Sequence, residues 1–78
     1  MWILSQDKTM MVNDTGIVID AIVIDDKSSA LTISFPALRT NNIVGPEYLG
    51  RYMSVGKAKE ELLKIYDKLP AEGKHEVE

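Results

Sequence analysis

The sequence of 78 residues lacks cysteine altogether, which excludes a disulfide framework and a thiolate metal site. It also lacks any apolar run near the roughly 20 residues that span a bilayer. The N-terminus has no basic region followed by an apolar one, so no signal peptide is expected. A reducing cytoplasm is compatible with this composition but not required by it, and no membrane association is expected. Small domains without disulfides or structural metal ions often gain stability by oligomerising.

Residues that carry chemistry are equally scarce. The single histidine, His75, lies in a charged segment, and no serine or cysteine arrangement can be tied to it. The net charge of −3 argues against general nucleic-acid binding. We predict no enzymatic activity, no catalytic residues, no cofactor and no metal site.

Two superficial motifs fail on spacing. Between Gly50 and Lys57 the chain resembles a phosphate-binding P-loop, but five residues rather than four separate Gly50 from Gly56. In addition, Ala58 stands where a P-loop has the serine or threonine that binds magnesium. Four aspartates do not have the spacing of a calcium loop and are expected to form turns and protect sheet edges. They are Asp14, Asp20, Asp25 and Asp26.

What the sequence does contain is strand and turn, followed by one helix. Short apolar or alternating segments, separated by turn residues, predict up to five strands. They are 2–5, 10–12, 17–24, 30–35 and 48–53, with a polar loop at 39–46. Ser54 is a suitable N-cap, and Pro70 should end the helix near Leu69. Five apolar residues then fall on one helix face, at spacings of three and four. They are Val55, Ala58, Leu62, Ile65 and Leu69.

These elements predict a single α+β domain over 1–78. It is an antiparallel meander of four to five strands, with one C-terminal amphipathic helix (about 54–69) packed on one face. Leu31, Ile33 and Phe35 should face the apolar side of that helix. A more curled, barrel-like sheet is the alternative, and 71–78 is either a frayed tail or a short edge strand.

Two stretches are distinctive: the opening Met1-Trp2-Ile3-Leu4-Ser5-Gln6-Asp7-Lys8, and Tyr48-Leu49-Gly50-Arg51-Tyr52-Met53-Ser54 with Lys57-Ala58-Lys59-Glu60 and Leu63. They resemble a family of small uncharacterised proteins of Gram-positive bacteria and their prophages. Its members begin with Trp-Ile/Val-Leu-Ser-Gln and carry a Leu-Gly-x-Tyr-x-Ser segment before a helix that often begins Glu-Arg-Ala or Lys-Ala. The resemblance covers about half of the chain. It implies cytoplasmic residence and a strand followed by a helix, and it supplies no catalytic residues.

The strand at 17–24 is apolar on both faces, interrupted only by Asp20. One helix covers one face of a sheet, so the second apolar face needs another cover. We expect an interface at Val18, Ile22 and Ile24, with a two-fold homodimer favoured over other oligomers. Burial of that face inside a curled sheet is the alternative.

A second candidate site is the start of the helix, where free N–H groups and the helix dipole attract anions. Its residues are Arg51, Ser54, Gly56 and Lys57. The competing interpretation is an ordinary capped helix with solvated lysines. The sequence thus favours a non-enzymatic accessory protein that binds itself and a host or phage protein. The alternative is a binder of a small anionic ligand.

Overall fold

A computed structural model describes residues 1–35 and 47–78. The loop predicted at 39–46 lies outside the described residues. In chain order the elements are β1 (Trp2–Leu4), β2 (Met10–Asn13), β3 (Val18–Asp25), β4 (Ser28–Ser34), β5 (Glu47–Tyr52), α1 (Val55–Asp67), a 3₁₀ helix (Ala71–Gly73) and β6 (Lys74–Glu76).

The strands form one sheet in the order β5-β4-β3-β2-β1-β6. From β1 to β5 every neighbour is consecutive and antiparallel, which confirms the predicted meander with a helix on one face. The sheet has six strands rather than four or five, because the chain returns after α1 and adds β6 parallel to β1. The edge strand considered for 71–78 is therefore present, at Lys74–Glu76.

Side chains with an oxygen acceptor organise three of the tight turns. Asp7 accepts from the N–H and the hydroxyl of Thr9, and Asn13 accepts in the same way from Thr15. Asp25 accepts from the N–H of Lys27. A short carboxylate or amide that bonds the backbone two residues on imitates a turn hydrogen bond, which favours these reversals of direction. The turns therefore hold β1 to β4 in their antiparallel order.

The helix begins where the sequence predicts and ends two residues earlier. The Ser54 hydroxyl accepts from the N–H of Lys57 at 3.2 Å, which satisfies one free donor of the first turn. At the other end Lys68 is the C-cap, and Leu69 N–H bonds the carbonyl of Tyr66 at 3.1 Å. This bond and the bond from Lys68 N–H to the carbonyl of Ile65 span three residues instead of four, so the final turn of the helix is tighter before Pro70.

The core lies between α1 and one face of the sheet. Its buried members come from four strands and the helix: Leu4, Met11, Ile19, Leu31, Leu62 and Tyr66. Ile33, Ile65 and Leu69 pack against this cluster, so the predicted contact of β4 with the helix is correct for Leu31 and Ile33. It is wrong for Phe35, which is 46% exposed just beyond the end of β4, where the pleat no longer directs it inward.

Candidate functional site

The two faces of the sheet differ in what covers them. Paired residues of neighbouring strands share a face, and successive residues alternate between faces. The register places the core residues Leu4, Met11 and Ile19 on the side of α1. The opposite side is called here the helix-free face. Its residues are Ile3, Met10, Val12, Val18, Asp20, Ile22, Asp25, Ser28, Ala30, Thr32, Ser34, Tyr48, Arg51 and His75.

Large apolar side chains dominate the helix-free face. Ile3 and Met10 are exposed, and Tyr48 is 51% exposed. Val12, Val18 and Ile22 are partly exposed. An apolar surface of this kind, rimmed by polar residues, is typical of a protein interaction site.

Small side chains occupy the centre of this face, on β4. Ala30 and Thr32 are buried, although α1 lies on the other side of the sheet. The Thr32 hydroxyl donates to Asp20 Oδ1 at 2.5 Å, across the β3–β4 pair. That bond holds the carboxylate of Asp20 in a fixed direction.

A charged and an aromatic residue stack on β5. The Arg51 guanidinium lies 5.1 Å from the centroid of the Tyr48 ring, a cation–π distance. A bulge between β4 and β5, where Leu49 is the additional residue, puts both side chains on the helix-free face. The arginine is exposed there, so its N–H groups can reach a ligand or a partner.

The structure distributes the three predicted interface residues as follows. Val18 and Ile22 lie on the helix-free face, with Ser34 and Ala30 as partners on β4. Ile24 falls at a register shift between Val23 and Asp25, so simple alternation does not fix its face. All three predicted residues are partly exposed.

The four residues of the predicted anion site are not brought together on one side. Ser54, Gly56 and Lys57 lie at the start of α1, and the Ser54 hydroxyl already accepts from Lys57 N–H. The ammonium of Lys57 lies 3.6 Å from Glu60 Oε2. Arg51 projects from the helix-free face onto Tyr48, away from the helix.

An open cavity of about 390 Å³ lies beside the turn between β1 and β2. Its lining is largely polar and includes two carboxylates: Ser5, Gln6, Asp7, Thr9, Met10, Asp20 and Ala21. Hydrogen bonds, first from the Thr9 hydroxyl and then from Ser5, lower the pKa of Asp7 from 3.8 to about 2. The carboxylate of Asp7 therefore stays ionised at neutral pH and gives this cavity a negative charge.

Within residues 1–35 and 47–78, no group of three or more potential metal ligands occurs. No helix in this part of the chain is long and apolar enough to cross a bilayer. No protein-family model, curated protein or solved structure matches the sequence.

Sequence reasoning missed the polar part of the helix-free face. The Asp20–Thr32 bond and the Tyr48–Arg51 stack join residues that are distant in sequence or separated by a bulge. For Asp20 there was a signal, since a carboxylate inside an apolar strand needs a polar partner if it is not fully solvated. The bulge had no such signal, because Leu49 continues the apolar pattern of its neighbours.

Proposed function

We propose that this protein is a non-enzymatic binding protein, and that it forms a homodimer through the helix-free face. The observation that carries the proposal is the set of large apolar side chains on the side of the sheet away from α1. Complete burial of one large aliphatic side chain in an interface would stabilise the dimer by roughly 1.5–3 kcal/mol. Association therefore offers a small domain a large gain, and two-fold pairing is the commonest closed solution.

The role we propose for this binding is that of a cytoplasmic accessory protein, which acts on a host or phage protein. Support for the phage or prophage setting is the resemblance of Met1–Lys8 and Leu49–Ser54 to small prophage proteins. Support for binding over catalysis is the nature of the helix-free face, which is broad and mainly apolar. A mainly apolar surface of this kind can bind either a different protein or a second copy of this chain.

A matched pair of substitutions on β3 tests the proposal. Ile22 and Val23 are adjacent, but they project from opposite faces of the sheet. Val23 is 65% exposed on the helix side, so Val23→Lys adds a charge without touching the proposed interface. We expect the parent and Val23→Lys to have the mass of a dimer in sedimentation at micromolar concentration, and Ile22→Lys to be monomeric yet folded.

Two results would contradict the proposal. One is a parent that is monomeric over the whole concentration range. The other is an Ile22→Lys variant that unfolds, by circular dichroism, while Val23→Lys does not. That second result would place Ile22 in the interior of a single chain.

A further inference from the structure

Four residues of the helix-free face occupy the corners of a rectangle. Two neighbouring rows of the register define it: Ile22, Ala30 and Arg51 in one row, and Asp20, Thr32 and Tyr48 in the other. From general sheet dimensions, the corners are about 10 Å apart across two strands and about 7 Å apart along a strand. The two charged corners lie on one diagonal, and the two apolar corners lie on the other.

This arrangement is self-complementary under a two-fold rotation. An axis between two facing sheets, directed along the apolar diagonal, places Ile22 and Tyr48 next to their own copies. Because the rectangle is not square, the same rotation brings Asp20 of one copy to within about 4 Å of the position opposite Arg51, a distance that the arginine side chain can span. Each carboxylate then faces the guanidinium of the other copy, and no like charges meet.

We propose that two copies of this chain pair through this axis, with Asp20 of each copy accepting from Arg51 of the other. The inference rests on the proposed self-association and specifies its geometry and its polar contact. The axis passes over β4 between Ala30 and Thr32. Both residues are already buried in the single chain, so the larger side chains at the four corners make the contact.

The two charged side chains are already oriented for this contact. Asp20 uses Oδ1 for the Thr32 hydroxyl, and among the described residues no donor bonds its Oδ2. Arg51 stacks the face of its guanidinium on Tyr48, which leaves N–H groups at the edge to donate. Since both side chains are held before association, less conformational entropy is lost when they pair.

The experiment is a double-mutant cycle on the dimer association constant. Arg51→Glu sets two carboxylates against each other at both contacts, and we expect it to weaken association about tenfold or more. Asp20→Asn keeps an acceptor oxygen for Thr32 and removes only the charge. We expect the double variant Asp20→Asn/Arg51→Glu to associate more tightly than Arg51→Glu alone, because the repulsion is gone.

Lys57→Glu is the matched control, because it changes the net charge by the same amount at an exposed position on α1. It should leave the association constant unchanged. A mixture of the Asp20→Asn and Arg51→Glu proteins adds an intermolecular readout. Their heterodimer retains one native Asp20–Arg51 contact, so native mass spectrometry should find it above the statistical fraction.

The outcomes separate this inference from the proposed function. A dimeric parent with additive effects of the two substitutions and statistical mixing would overturn the pairing while leaving self-association intact. Equal weakening by Lys57→Glu and Arg51→Glu would do the same, since it would indicate a general charge effect. A parent that is monomeric would contradict both.

Discussion

At the scale of single residues, Asp7 shows how a turn controls a titration. Its Oδ1 accepts from the hydroxyls of Ser5 and Thr9, each at 2.7 Å, and from Thr9 N–H at 3.1 Å. Hydrogen bonds to the charged form favour it, which is why the pKa falls from 3.8 to about 2. A folded-state pKa below the unfolded value means that this contribution to stability is present above about pH 4. It is lost as the pH falls toward 2.

Removing the largest cause should restore the ordinary pKa. We expect Thr9→Val to raise the pKa of Asp7 toward 3.8, because the hydroxyl donor is gone while the backbone donor remains. The measurement is a titration of the Asp7 carboxyl carbon by NMR. Thr15→Val is the matched control, since Thr15 makes the same contact with Asn13 in the next turn. An unchanged pKa in Thr9→Val would show that another group depresses it.

At the scale of elements, the amphipathic helix packs its apolar side against core residues from four strands. Leu62 is fully buried between α1 and the sheet and belongs to the same cluster as Leu31 and Tyr66. Truncating it removes many contacts and leaves a cavity that the close-packed surroundings only partly fill.

We expect Leu62→Ala to lower the free energy of unfolding by about 2–5 kcal/mol. Chemical denaturation of the parent and the variant measures this difference. Leu63→Ala is a useful comparison, because Leu63 is only partly buried at the margin of the same cluster and should cost less. Equal midpoints for the parent and Leu62→Ala would contradict the packing of α1 on the sheet.

Much of the element pattern could be predicted because its signals are local. Alternation, turn residues and the Ser54 cap lie within a few positions of the structures that they determine. In contrast, β6 is a charged Lys-His-Glu triplet without an alternating pattern. It becomes a strand through pairing with β1 and through long-range contacts. Lys74, for example, lies 4.9 Å from the centroid of the Tyr66 ring.

The candidate site was less predictable, because it depends on the face of the sheet from which each side chain projects and not on distance along the sequence. Arg51 is three residues from Ser54, which made a shared anion site reasonable. Tyr52, next to it, packs toward the core, and alternation therefore puts Arg51 on the other side of the sheet. The register puts Val18 and Ile22 on the helix-free face, and the interface predicted at Val18, Ile22 and Ile24 stays a prediction.

At the scale of the whole molecule, the helix and the six-stranded sheet formed by the described residues have two unequal surfaces. The helix side contains the core, and the helix-free face combines apolar residues with charged residues that include Asp20 and Arg51. That combination is the basis for the central claim of this account, which is binding through the helix-free face. A claim about a surface is tested most directly by a measurement that resolves the surface residue by residue.

That measurement is the dependence of backbone and methyl NMR signals on protein concentration, from the micromolar to the millimolar range. We expect the signals of Val18, Ile22 and Thr32 to shift as dimers form, with a midpoint that matches the association constant. Signals of Lys57 and Lys64, on the exposed side of α1, should stay constant. Shifts confined to α1, or no concentration dependence at all, would contradict the assignment of the helix-free face as the binding surface.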